Sequence, residues 1–116
     1  MTRDSNLSKY VESLIKISFK TYRYKKELYV LFQGIQLYFD FYLPELGILI
    51  EVQGQQHYKF NKFFHRNNDV FLDQKYRDTL KSQWAAEKNL KLIQFSYTEI
   101  PKLTPEIFRQ KLISII

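Results

Sequence analysis

Asp40 and Glu51 stand on either side of a turn in the stretch YFDFYLPELGILIEVQGQQHY, residues 38–58. Carboxylates brought side by side repel, and without a counter-charge at least one of them has its pKa raised. A hard divalent cation removes that penalty. Mg²⁺ is commonly held by one or two carboxylates and keeps waters and substrate phosphate oxygens as its other ligands. Asp40 and Glu51 suit that arrangement. The ordinary alternative is a hairpin with one wet face, on which an Asp and a Glu are merely solvated.

Positioning the two acids falls to the hairpin itself. Pro44-Glu45-Leu46-Gly47 supplies the turn, since Pro presets φ and Gly accepts the positive φ that closes the bend. The flanking residues are apolar, aromatic or β-branched. Strand alternation predicts Tyr38, Asp40 and Tyr42 on one side and Phe39, Phe41 and Leu43 on the other. Likewise Leu49, Glu51 and Gln53 lie opposite Ile48, Ile50 and Val52. Gly54-Gln55-Gln56-His57 follows where the second strand ends.

Around this hairpin the pattern predicts one α/β domain over residues 1–116, in the order α-β-β-β-α-β-α. Asp4 or Ser5 caps a first helix whose apolar stripe is Leu7, Tyr10, Val11, Leu14, Ile17 and Ser18. Glu12 sits at the flank of that stripe, either solvated or pointing toward the hairpin. Glu27–Phe32 is a strand and Gln33-Gly34 the turn after it. Asn67, Asn68 or Asp69 starts a second helix, with Leu72, Tyr76, Leu80 and Trp84 predicted as its buried face and Asn89 as its stop. Asp73 and Arg77 on this helix have the spacing of a surface ion pair. Lys91–Phe95 is a fourth strand, returning parallel to the third. Thr104-Pro105-Glu106 opens the last helix.

The charge balance narrows the partners. A formal charge of +6 favours a polyanion, nucleic acid before an anionic membrane surface. The cations fall in two groups interleaved with aromatics: Lys16, Lys20, Arg23, Lys25 and Lys26, then Lys59, Lys62 and Arg66. Such mixtures can hold phosphates and stack on bases, although basic surface is common on soluble proteins. No apolar run reaches the roughly 20 residues of a membrane span, and MTRDSNLSKY lacks the apolar core of a signal peptide, so a cytoplasmic chain without membrane attachment is expected. The absence of cysteine excludes disulfides and thiolate zinc sites, and with only two histidines any metal should be oxygen-bound.

On this order of elements the chain resembles the PD-(D/E)xK nuclease superfamily, and within it the very-short-patch-repair-like endonucleases and phage homing endonucleases. The residues that carry the resemblance are Asp40 in FDFYLP, Glu51 and Gln53 in IEVQG, His57 in GQQHY, and DQKYRDTLK followed by NLKLIQF. It implies a restriction-endonuclease-like domain, a mixed four-stranded sheet flanked by helices, that cleaves DNA with Mg²⁺ (Mn²⁺ substituting) in a bacterial or phage-infected cell. It further implies that Asp40 and Glu51 bind the metal, that Gln53 occupies the third motif position, and that His57 takes part in water activation or leaving-group chemistry. Glu12 matches the first-helix acid of some members, and Asp73 and Arg77 match positions bordering the site. Lys20, Arg23, Lys25, Lys26, Lys59, Lys62 and Arg66 would grip the DNA backbone.

Gln53 departs from the usual lysine of the third position. An amide can hold a water but cannot neutralise it. Three outcomes follow: Gln53 positions water while the metal generates hydroxide, a cation such as Lys59 or Lys75 reaches the vacated space, or the site is degraded to a binding module. The alternatives to a nuclease are thus an inactive nucleic-acid-binding domain on the same fold and a protein-interaction domain. A homodimer, or a partner protein or added DNA-binding element, would supply double-strand cleavage or selectivity.

Overall fold

Alternating apolar residues build an antiparallel meander in the computed structural model, which describes residues 6–54 and 68–116 and the side chains of 6–54 and 73–116. Its elements are α1 (Asn6–Ser18), β1 (Lys25–Phe32), β2 (Ile35–Leu43), β3 (Ile48–Gln53), α2 (Asn68–Glu87), β4 (Lys91–Ser96) and α3 (Pro105–Ile113), with a 3-10 turn at Ile100–Lys102 before α3. The sheet order is β1-β2-β3-β4. The first two pairings are antiparallel and β3–β4 is parallel, so the predicted order and mixed sheet are those observed. The capping positions Asp4, Ser5 and Asn67 lie outside the described residues.

Local chemistry sets the ends of these elements. Gln33 and Gly34 have φ of 52° and 76°, the doubly positive turn that matches the twist of a two-residue hairpin. Asn89 ends α2 with φ 59°. The Thr104 hydroxyl accepts from the Ile107 N–H at 3.2 Å, and Pro105 begins α3.

Each face of the sheet has its own core. On one face α1 and α3 bring Val11, Leu14, Ile15, Phe108 and Leu112 against Phe41, Leu43, Ile48, Ile50 and Phe95. On the other, Leu80 and Ala85 of α2 meet Leu37, Phe39 and Leu49, with Trp84 packed beside them.

Three predicted faces are corrected. Phe39 does not share a side with Phe41 and Leu43, because it stacks on Trp84 at 5.4 Å while Phe41 joins the α1 core. The cause is a paired irregularity. Register holds at Lys26↔Phe41 and Leu28↔Phe39, but Glu27, with φ 55°, and Asp40 between them drop out of the ladder. Each strand passes one residue unpaired, and the faces exchange. On α1, Val11 and Leu14 are buried as predicted, but Tyr10 and Ile17 are exposed, and Ser8 and Ile15 are buried in their place. On α2, Tyr76 is 53% exposed while Leu80 is buried. A stripe read at every fourth residue drifts by about 40° per step on a helix of 3.6 residues per turn, so it cannot stay on one face for long.

Candidate active site

β2 and β3 pair only where Phe41, Tyr42 and Leu43 face Ile50, Leu49 and Ile48. Beyond that seam β2 continues with β1 and β3 with β4, so the sheet forks. Asp40 and Glu51 stand at the base of the fork. The Asp40 N–H donates to Glu51 Oε1 at 3.0 Å, and the Val52 N–H donates to Asp40 Oδ2 at 2.8 Å. Each carboxylate takes the place of a backbone carbonyl where the ladder stops. The hairpin thus joins the two acids as the turn position predicts.

Glu51 is 3% exposed, and Lys81 of α2 donates from Nζ to its Oε2 at 2.6 Å. That ammonium is itself buried and lies 5.7 Å from the centre of the Phe39 ring. Burial pushes the Glu51 carboxyl up to about 7, against the pull of Lys81 and with the added repulsion of Asp40. The short Lys81 contact alone would favour an ionised Glu51; loss of hydration outweighs it.

This environment fits a divalent cation. Among the described residues, two carboxylates and one ammonium meet here around a Glu51 from which water is largely excluded, and Glu51 uses only two of about four lone-pair sites in its hydrogen bonds. Among the described residues no three carboxylate, imidazole or thiol side chains gather to ligate a metal, and Asp40 and Glu51 are the two carboxylates that meet at the fork. One or two carboxylates, with water and phosphate oxygens completing the shell, is the set that suits Mg²⁺.

The remaining predicted residues fall in several places. Gln53 lies on the α2 side of β3 and is buried, bordering a groove with Lys75, Asp78, Thr79, Ser82 and Gln94. Lys75 thus stands at the rim, and the cation on Glu51 is Lys81. His57, Lys59, Lys62 and Arg66 lie outside the described residues. Glu12 is on the α1 side of the sheet, where it accepts from the Tyr24 hydroxyl at 2.6 Å and pairs with Lys26 at 3.4 Å and Lys16 at 4.0 Å. The Tyr24 bond and the lysines hold the Glu12 carboxyl below its usual range despite partial burial. The Tyr24 phenol is pushed up to about 12 by burial and by Glu12. Arg77 reaches not to Asp73 but to the Gln36 carbonyl at 3.5 Å, and Asp73 is exposed.

Of the predicted DNA contacts, Lys20 and Lys25 are exposed. Arg23 is held at the hairpin turn, its N–H donating to Glu45 at 2.6 Å and its side chain 3.8 Å from the same carboxylate. Lys26 is engaged by Glu12. Lys81 is the residue that the sequence pattern does not single out. Its signal is its place directly after Leu80 and one turn before Ala85, on a face that is otherwise buried.

No family model and no solved structure matches the chain. It is similar to uncharacterized protein 033L of Invertebrate iridescent virus 3, 43% identical over 65 residues, which is 56% of the chain and 34% of that protein. Uncharacterized protein 307L of Invertebrate iridescent virus 6 is 44% identical over 65 residues, 33% of its length. The chain spans about a third of the length of the curated relatives it matches. These relatives belong to viruses of invertebrates, whereas the resemblance implied a bacterial or phage-infected cell. Among the described residues no helix is long and apolar enough to cross a membrane.

Proposed function

We propose that this chain is a metal-dependent DNA endonuclease of the PD-(D/E)xK type. The observation that carries the reading is the cluster at the fork: Asp40 and Glu51 locked to one another through backbone N–H groups, with the buried Lys81 ammonium 2.6 Å from Glu51. Lys81 restores the positive charge that Gln53 does not provide, by way of the helix rather than the strand.

Asp40 and Glu51 would hold Mg²⁺ or Mn²⁺, which when bound supplies Lewis-acid polarisation and a more acidic water. The backbone N–H of Asp40 fixes the direction of Oε1, and Lys81 fixes Oε2, so the Glu51 carboxylate is oriented before any ligand arrives. Glu51 gives up its proton near neutrality, and deprotonation readies it for the cation. Lys81, hydrogen-bonded within the site, offsets negative charge as it builds on the phosphoryl oxygens. Gln53, two residues along the same face, offers an amide that can donate to or accept from a water without changing its charge.

A non-catalytic nucleic-acid-binding domain on this fold is the second reading. It is favoured by one observation: both acids already serve the backbone ladder and so have a use without metal.

Supercoiled plasmid incubated in Mg²⁺, in Mn²⁺ and in EDTA, beside Asp40→Asn, tests the first reading. Metal-dependent nicking or linearisation that the variant lacks is the expected result, and the nicked-to-linear ratio gives one-strand or two-strand cutting. DNA binding without cleavage of plasmid or branched DNA in either metal would leave the binding domain.

A further inference from the structure

β1 stands first in the sheet order, so among the described residues no strand pairs with its outer edge. Gln33-Gly34 is a two-residue loop, which makes Phe32 and Ile35 the closing hydrogen-bonded pair; alternation then gives Val30 with Leu37 and Leu28 with Phe39 the same part. The backbone N–H and C=O groups of Tyr29 and Leu31 therefore point away from β2, along the open edge. Their side chains are exposed as well, at 45% and 69%. Tyr29 meets the Tyr38 ring edge to face at 4.4 Å, while Leu28, Val30 and Phe32 turn to the other face and pack against the α2 core.

Natural edge strands are usually blunted by proline, by a charge within the strand or by a bulge. The irregularity at Glu27 comes before this stretch, and Leu28-Tyr29-Val30-Leu31-Phe32 carries neither proline nor charge. Such a stretch is a template for another strand. It is also its own complement. In an antiparallel pairing centred on Val30, Tyr29 of each copy faces Leu31 of the other, and Leu28 faces Phe32. All five apolar residues then meet apolar residues, and no like charges stand opposite one another. Shifting the centre to Tyr29 sets Glu27 against Leu31, and shifting it to Lys26 sets that lysine against itself. A shift toward Leu31 pushes Tyr29 past the end of the partner strand, to the turn residue Gln33.

We infer that β1 is the edge along which a second copy of this chain pairs, antiparallel and about a two-fold axis at Val30, joining two four-stranded sheets into one of eight. Exact self-complementarity in backbone direction, apolar side chains and charge favours a second copy over a foreign strand. Neither the acid pair nor a metal takes part in this contact. Five residues a side make a small interface, so the dimer is a weak one that dilution separates.

Sedimentation velocity across roughly 1 to 100 µM measures the association. The mass should rise with concentration from 14.1 kDa toward twice that value. Leu31→Pro removes an outward N–H while leaving the bonds to β2, and should weaken the dimer at least tenfold. Leu31→Lys and Tyr29→Glu should each do the same, and a thermal melt of each variant reports its folding. The register has its own test: Leu31→Lys chains mixed with Tyr29→Glu chains bring opposite charges together across the axis, so the mixture should associate where neither variant does alone. A wild-type chain that stays monomeric at 100 µM overturns the inference and leaves the edge to a strand of another protein. So does a dimer that survives Leu31→Pro and Leu31→Lys, or a mixture that fails to associate.

Discussion

At the scale of single residues the site turns on the balance around Glu51. Its folded pKa near 7 stands above the ordinary 4.5, so between those values the folded chain keeps a proton that the unfolded chain has lost. Its contribution to stability therefore falls as pH rises across that window. The proposed metal-dependent cleavage runs the other way: only the carboxylate binds a cation, so at subsaturating metal cleavage should rise with pH with one proton's slope. Lys81→Met removes the ammonium that pulls this pKa down, and the midpoint of the pH–rate profile should move up by roughly one unit or more. An unchanged midpoint in single-turnover cleavage would take Lys81 out of the site. Asp40 and Glu51 were legible because one turn brings them together. Lys81 was not: it comes to Glu51 from 30 residues away, through a helix whose position depends on the whole sheet.

At the scale of elements, the ends were easier to read than the faces. Thr104, Asn89, Gly34 and Gly47 act through their own backbone and side-chain chemistry, which a sequence displays directly. The exchange of faces at Glu27 and Asp40 comes where one residue of each strand leaves the ladder, Glu27 with φ 55°, and alternation cannot anticipate it. The buried face of α2 yields a stability test. Leu80→Ala should cost about 2–5 kcal/mol, whereas Tyr76→Ser should stay within about 0.5 kcal/mol. Urea denaturation ranks the two, and the reverse order would restore the every-fourth-residue face.

For the molecule as a whole, the element order and mixed sheet followed from short connections and from a helix between the third and fourth strands. The grip on a polyanion did not follow, because net charge is blind to pairing. Of the basic group that runs from the end of α1 into β1, Arg23 is tied to Glu45 and Lys26 to Glu12, which leaves exposed Lys20 and Lys25 as the better candidates for phosphate contact. Lys20→Ala and Lys25→Ala should each reduce the slope of log affinity against log salt by about 0.9, and Arg23→Ala by less. Titrations at several salt concentrations measure this; equal slopes for all three would assign no phosphate to Lys20 or Lys25. The fork has a consequence for descent as well as for chemistry. Because Asp40 and Glu51 complete a ladder that would otherwise end in open N–H groups, folding alone selects for both acids. A lineage that abandoned catalysis would keep them as masonry.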